Sequence, residues 1–431
     1  MRRWGLRLAV LLPLLAGGAA VEPTAVLARQ SASAETTEAA DFAHAIDARR
    51  ADLIEIRRDI HRHPEPSGSE DRTAGIVAGV LRDAGFEVTT GVGGHGVVGV
   101  LRGGAPAAES GPVLAFRADM DAVRGTADDP MDFRSVVAGV NHNCGHDIHT
   151  SVGLALAVGF GAVRDELPGT VMLIFQPAEE TASGARAMLA DGVFDDPPAA
   201  VFAYHTAPLP VGEIMTRPGP LLAGRDRVSV TVRGDGDLTG AVRSVRAALA
   251  DLATPGSEQP SLPAGASFVA VRGLQTTPRG AGEWDARATL TVSDSATSRA
   301  ARERIEETLT ELRRQRPGIE LTLDYQTRWI AGLLNDPALV ERANAVARGV
   351  LGDDAVRAPR TASTIFSEDF GSFQEKVPGV MYFLGVSNEA KGWVGMPHTP
   401  GYVADEDAIF VGAEVMAAVF MDLFEQGVPG T

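Results

Sequence analysis

Residues 141–149 read Asn-His-Asn-Cys-Gly-His-Asp-Ile-His, and the other features of the chain can be arranged around this stretch. It holds the only cysteine of the protein and three of its nine histidines. A thiol, imidazoles and a carboxylate so close together suit a borderline-soft divalent cation. We therefore expect this stretch to open a metal site whose remaining ligands come from elsewhere in the chain.

Further potential ligands follow apolar stretches at residues 113–116, 170–175 and 200–204, which have the composition of buried strands. Helical patterns such as residues 148–163 separate these strands, and this alternation predicts an α/β domain with a largely parallel sheet. In open α/β sheets, ligands bind at the edge formed by the carboxyl ends of the strands. We expect the following side chains to meet at that edge: Asp119, Asp121, Glu179, Glu180 and His205.

The pattern of the chain changes near residue 225. From there the sequence predicts elements in the order β-α-β-β-α-β, which is typical of a ferredoxin-like α+β domain. The α/β pattern resumes with a helix at residues 337–351. We predict a catalytic α/β domain in two parts, residues 40–224 and 327–431, interrupted by an inserted domain at 225–326.

The N-terminal segment has the features of an export signal. Arg2 and Arg3 precede a mostly apolar run at residues 6–20, and small residues offer cleavage points after it. We predict a signal peptide at residues 1–28, with a retained membrane anchor as the alternative, and a disordered linker at 29–39. The mature protein would be periplasmic or secreted, without stable membrane association.

The charge of the chain limits its partners. A net charge of −17 argues against binding to nucleic acid or to anionic membrane surfaces. A single cysteine cannot form an internal disulfide. The charge says nothing positive about the substrate, because an excess of acidic residues is usually a solvated surface.

Short motifs distributed along the chain carry a family resemblance. Those closest to the expected site are IRRDIHRHPE at 56–65, FRADMDA at 116–122, NHNCGHDIHT at 141–150, FQPAEE at 175–180, SEDFGSF at 367–373 and MPHTP at 396–400. As a set and in this order, they resemble the M20 metallopeptidase family. The resemblance is to the amidohydrolase branch, which includes hippurate, N-acyl-amino-acid and auxin-conjugate hydrolases. It implies a zinc-peptidase-like catalytic domain with a mostly parallel central sheet and an inserted lid or dimerisation domain.

The resemblance also implies a site with two divalent metal ions per subunit, zinc, manganese or cobalt. The implied ligands are Cys144, His146, Glu180, His205 and His398. Glu179 would be the general base for a metal-activated water that cleaves the amide bond of an N-acyl amino acid or small peptide. The groups expected to orient the ligands are Asp119, Asp121, Asp147 and His149.

One part of the family pattern is missing. Members usually carry histidines in the inserted domain that help to stabilise the oxyanion, but residues 232–240 contain none. Another donor, such as Arg225, Arg227 or Arg279, would keep the enzyme active. The enzyme would also stay active if it worked within one subunit and the metals carried most of the oxyanion charge. The alternative is a catalytically impaired metal-binding homologue that binds a small peptide or amino-acid conjugate. We favour activity because the implied ligands and Glu179 are present.

Three further residues receive weaker predictions. His61 precedes a Pro-Glu turn and is expected to pack against that turn rather than bind metal. Asp369 is either a helix cap or a functional group. His142 is expected to be structural or to orient a ligand.

The family resemblance also bears on oligomeric state. Family members usually dimerise through the inserted domain, so a homodimer is also expected.

Overall fold

The protein is described by a computed structural model over residues 37–257, 261–263, 267–363 and 366–430. The predicted signal peptide and most of the predicted linker lie outside these residues. The first helix begins at Thr37, inside the predicted linker. Within the described part of the chain, no helix combines the length and apolar character needed to cross a membrane.

Helices and strands follow one another through three segments of the chain. The first segment contains α1 (Thr37–Ala48), α2 (Arg50–Arg62), α3 (Asp71–Asp83), β1 (Glu87–Val92), β2 (Gly96–Arg102), β3 (Val113–Asp119), β4 (Val123–Arg124), β5 (Val140–Asn141), α4 (His146–Ala162), β6 (Thr170–Gln176), α5 (Gly184–Ala190), β7 (Ala200–Pro210), β8 (Ile214–Met215) and β9 (Gly219–Leu222). The inserted segment contains β10 (Gly224–Gly234), α6 (Leu238–Ala250), β11 (Ser261–Pro263), β12 (Val269–Gly280), β13 (Glu283–Val292), α7 (Ser295–Gln315) and β14 (Ile319–Ile330). The last contains β15 (Leu333–Asn335), α8 (Pro337–Leu351), β16 (Val356–Arg357), β17 (Thr361–Ser363), α9 (Gly371–Gln374), β18 (Gly379–Ser387) and α10 (Asp407–Gln426).

The central sheet has eight strands in the order β1-β2-β6-β3-β7-β18-β8-β16. Its middle strands, β6, β3, β7 and β18, are parallel, whereas β1 and β2 add antiparallel pairs at one edge. Apolar side chains of β3 and β6 alternate between two cores, one under α4 and α10 and the other under α5 and α9. Both faces are covered, which explains why these strands are continuous apolar runs. The α/β fold with a mostly parallel sheet is confirmed.

The inserted segment forms its own four-stranded antiparallel sheet, in the order β12-β13-β10-β14. Val228, Val230 and Val232 of β10 are buried in a core with side chains of α6 and α7. This arrangement is the β-α-β-β-α-β order that the sequence predicts. Strand β14 continues to Ile330, beyond the predicted boundary at residue 326.

Two local features interrupt the simple succession of elements. The helical stretch that begins at Thr37 is divided at Arg49, between α1 and α2, where φ is −106° and ψ is 8° and the N–H bonds to the Ile46 carbonyl. Between α6 and β12, strand β11 pairs with β17 of the catalytic domain. The backbone of the inserted segment therefore contributes a strand outside its own sheet.

Helix α4 is packed closely on all sides, which matters because it begins at His146. A Cβ atom added at Gly153 would lie 2.8 Å from the Phe175 ring. One added at Gly159 would overlap the Phe42 ring. These glycines let α4 approach its neighbours closely, and this approach fixes the height of its N-terminus above the sheet.

We predict opposite effects for two glycine substitutions. Gly159→Ala should lower the free energy of unfolding, because overpacking costs about 1–3 kcal/mol and exceeds the helix preference of alanine, about 1 kcal/mol. Gly79→Ala in α3 is the matched control, since a Cβ atom there meets nothing within 4 Å. It should raise stability in the same urea denaturation experiment. Equal effects of the two substitutions would contradict this account of α4.

Candidate metal centre

The ends of the central strands bring several acidic and imidazole groups to one edge of the sheet. Strand β3 ends at Asp119, with Asp121 two residues on, and Glu179 and Glu180 follow β6. His205 was predicted to follow a strand but lies within β7, because β7 continues its pairing with β18 as far as Pro210. Its ring still reaches the site, with Nε2 3.6 Å from Cys144 Sγ.

Gly145 sets the turn between Cys144 and His146. Its φ of 92° lies in the left-handed region that favours glycine, and a Cβ atom there would lie 2.8 Å from Thr206 Cγ2. The turn places Cys144 just before α4 and His146 in its first turn. Both side chains are buried and face the same cavity.

The five predicted ligands form two groups that share one atom. Ligand atoms of Cys144, His146 and His205 lie within 4.8 Å of one another. The same limit holds for the ligand atoms of Cys144, Glu180 and His398. Cys144 Sγ belongs to both groups, so the thiol lies between two sites that could each hold a cation.

Hydrogen bonds fix which ring nitrogen of His146 and of His205 is free to bind a metal. His146 Nδ1 donates to the Asp121 carbonyl at 2.8 Å, and His205 Nδ1 donates to the Thr206 carbonyl at 2.8 Å. Because a carbonyl only accepts, the protons lie on Nδ1 and the Nε2 lone pairs are left for a metal. Among the described residues, Nε2 of His146 and Oε1 of Glu180 are both buried and have no hydrogen-bond partner. The donor set therefore fits divalent cations.

His398 comes from a separate loop. Its φ of 59° is unusual for a residue other than glycine, and its N–H donates to the Asn143 carbonyl at 2.8 Å. Its Nε2 lies 3.3 Å from Glu180 Oε1, and half of its side chain (51%) is exposed. The strained backbone is held against the residues before Cys144, on the solvent side of the site.

The predicted orienting residues divide into two sets. Asp119 and Asp121 contact the site, and His149 uses both ring nitrogens, with Nδ1 2.6 Å from Asp119 Oδ1 and Nε2 accepting from the Thr206 N–H at 2.8 Å. Asp147 differs from the prediction. Its Oδ2 lies 2.7 Å from His61 Nδ1 and 2.8 Å from Arg57 Nε, so it pairs with α2 rather than with a ligand imidazole.

Burial and neighbouring charges shift the pKa values of several groups at the site. Burial lowers the pKa of His146, but Asp119 and Cys144 raise it more, so it lies well above the ordinary value. Burial raises the pKa of Glu179 well above its ordinary value, and Glu368 adds to this effect. Burial also raises the pKa of the Cys144 thiol. Burial lowers the pKa of His205, another predicted ligand, to about 3, which keeps that imidazole neutral and able to bind a cation.

A network of buried charged side chains lies next to Glu179. Arg117 donates to Asp119 at 2.6 Å, to Glu368 at 2.9 Å and to Asp369 at 3.1 Å. Burial raises the pKa of Asp369 to about 7, although Arg117 acts to lower it. Carboxylate oxygens of Glu179, Glu368 and Asp369 lie within 4.8 Å of one another. The Asp369 side chain therefore lies beside Glu179 at the site. Its side chain does not cap its own helix, which was the other role considered for it.

Sequence reasoning missed Arg117 and Glu368. One signal was available, because Arg117 is a charged residue at the end of an apolar strand and a buried charge needs partners.

Two other predicted residues have their own surroundings. His142 is buried, its two ring nitrogens have no hydrogen-bond partner among the described residues, and burial lowers its pKa to about 3. Of the arginines predicted as oxyanion donors, Arg279 bonds to Asp285 within the inserted domain at 2.5 Å.

Comparisons with known proteins agree with the geometry of the site. A family model described as peptidase family M20/M25/M40 matches residues 115–422. N-acetylcysteine deacetylase of Bacillus subtilis (strain 168) is 31% identical over 397 residues, which cover 86% of this chain and 97% of that protein. IAA-amino acid hydrolase ILR1-like 6 of Arabidopsis thaliana is 32% identical over 389 residues, covering 85% of this chain and 79% of that protein.

A solved structure gives the same result. The YXEP protein of Bacillus subtilis, described as a dinuclear metal binding peptidase from the M20 family, has a TM-score of 0.73 and 28% identity, covering 88% of this chain and 99% of that one. The residues that the family model matches include the five predicted ligands and Glu179. The chain therefore belongs to peptidase family M20/M25/M40, and its class is that of a metal-dependent hydrolase acting on amide or peptide bonds.

Proposed function

We propose that the protein is a binuclear amidohydrolase in which Cys144 is shared by two divalent metal ions. The two groups of ligand atoms that meet at Cys144 Sγ are the observation that carries this proposal. His146 and His205 would hold one ion with Cys144. Glu180 and His398 would hold the other. Zinc, manganese and cobalt all suit a mixed set of thiolate, imidazole and carboxylate ligands.

Glu179 is the general base of the proposed reaction. It is adjacent to the ligand Glu180, and its Oε2 lies 3.8 Å from His146 Nε2, so its carboxylate borders the ligand cavity. The two ions would lower the pKa of a water at the site and polarise the substrate carbonyl. Glu179 accepts the proton of that water as it attacks and then donates it to the leaving amine.

The proposed substrates are N-acyl amino acids or small peptides. The similar proteins named above act, by their names, on an N-acetylated amino acid and on an auxin–amino acid conjugate. Both are amides of an amino acid. The inserted domain lacks the usual histidines, which supports the alternative of a catalytically impaired homologue that binds such a conjugate. The presence of Glu179 beside a complete ligand set favours turnover.

Two further proposals concern the context of the enzyme. We propose export to the periplasm or medium, and N-terminal sequencing of protein from those fractions should find a start near residue 29.

We also propose a homodimer through the inserted domain, where β14 is an edge strand of the sheet. Light scattering of the purified protein should give the mass of a dimer.

Replacing the proposed base should abolish most turnover without removing metal. Glu179→Gln keeps the shape of the side chain but cannot accept the proton, so kcat should fall by about 10²–10⁴-fold. Amine release from an N-acetyl amino acid measures the rate, and elemental analysis measures bound metal. Glu166→Gln, at an exposed position, is the control. Unchanged kcat in Glu179→Gln, or no metal-dependent turnover in the wild type, would contradict the proposed reaction.

Replacing the shared ligand should affect both ions. Cys144→Ser should lower the metal content of the purified protein more than His205→Asn or His398→Asn, because each histidine belongs to only one ligand group. The two histidine variants should each retain one ion. Inductively coupled plasma mass spectrometry after metal loading provides the measurement. A Cys144→Ser protein that keeps both ions would exclude a shared thiolate.

A further inference from the structure

His61 lies in the last turn of α2, away from the ligands, and is 6% exposed. The expectation that it packs against a turn was wrong. Its Nδ1 is 2.7 Å from Asp147 Oδ2, and its Nε2 is 2.8 Å from Asp129 Oδ2. Carboxylate oxygens only accept hydrogen bonds, so both contacts are satisfied only when both ring nitrogens carry a proton. The geometry therefore requires a buried imidazolium between two carboxylates.

Other charged groups also face His61. On its own helix, Arg57 Nη2 is 3.5 Å from Nδ1, and Arg57 also pairs with Glu406 at 3.4 Å. The His142 ring centroid lies 6.2 Å away. Burial and Arg57 lower the pKa of His61, but Asp147 and Asp129 raise it more, so the net pKa is raised. The charged form is thus favoured even though Arg57 is close.

The two carboxylates belong to different segments of the chain, both connected to predicted metal ligands. Asp147 is in the first turn of α4, next to His146. Asp129 lies in the loop at residues 125–139, whose Asp128 N–H donates to the Pro400 carbonyl at 2.6 Å. Pro400 is two residues from His398. A continuous set of contacts therefore leads from the first turn of α4, through His61 and the loop, to the segment that carries His398.

We propose that His61 is a positioning residue, an imidazolium clasp that joins α4 to the loop at residues 125–139 and so holds the His398 segment in place. The connection that His61 makes between α4 and this loop does not depend on a bound metal ion. The effect on the ion held by His398 rests on the proposed function. Loss of the clasp should free the loop and weaken one ion, while the ion held by His146 and His205 stays bound.

Hydrogen–deuterium exchange of the metal-loaded protein tests the clasp. Amide protection in residues 125–139, corrected for the intrinsic pH dependence of exchange, should be followed from about pH 5 to about pH 9. A raised pKa in the folded state means that the contact is complete at low pH and lost as pH rises through that pKa. Protection of the loop should therefore fall with rising pH in the wild type.

Two pairs of variants separate the clasp from general stability. His61→Gln and Asp129→Ala should lower loop protection at low pH to about the level that the wild type reaches at high pH, and should remove its pH dependence. Their matched controls are His63→Gln, where His63 is partly exposed and pairs with Asp59, and Asp132→Ala at an exposed position of the same loop. Both controls should behave as the wild type. Asp129→Asn keeps an acceptor but removes one charge, so the midpoint of the pH transition should move about one pH unit lower.

The outcomes are distinct. A pH-independent loop in the wild type, wild-type protection in Asp129→Ala, or an unmoved midpoint in Asp129→Asn would each overturn the clasp. Metal titration of His61→Gln should show one ion bound about tenfold more weakly and the other unchanged. A freed loop with both ions bound as in the wild type would overturn the link to His398 but leave the proposed reaction intact, since that depends on Glu179.

Discussion

The arrangement of the site depends on the hydrogen bonds that the Asp121 carboxylate accepts. Its Oδ1 accepts from the Glu179 N–H at 3.1 Å and lies 3.2 Å from His146 Nδ1. Its Oδ2 accepts from the Glu180 N–H at 3.0 Å and from Ser67 Oγ at 2.6 Å. A fully buried carboxylate needs such donors. In satisfying it, the fold brings together the proposed base and two proposed metal ligands, a glutamate and a histidine.

The second constraint is an excess of buried negative charge. Arg117 is the cation that pairs with Asp119, Glu368 and Asp369, while Glu179 and Glu180 lie beside the same cavity. Removing several carboxylates from water without cations is costly, so some of them would have to bind protons. Divalent cations supply the missing positive charge. The fold therefore builds an environment in which metal binding relieves the electrostatic cost of the site.

The sequence predicted the features that depend on local pattern. Apolar runs marked the strands of the parallel sheet, and the residues after them marked the site, because strand ends and ligands coincide in α/β folds. Features that depend on distant pairing were not predicted. Arg117 and Glu368 are 251 residues apart, and no local pattern links them. Asp147 and His61 likewise pair across 86 residues, so Asp147 was assigned to the wrong partner. The tautomer of His146 follows from the Asp121 carbonyl, which lies 25 residues away in the sequence.

The central claim is that one thiolate serves both metal ions. Crystals of the metal-loaded protein, with anomalous diffraction collected at the metal absorption edge, test it most directly. The account predicts two anomalous peaks on either side of Cys144 Sγ, one near His146 and His205 and the other near Glu180 and His398. A single peak, or a second peak out of bonding range of Cys144 Sγ, would contradict it.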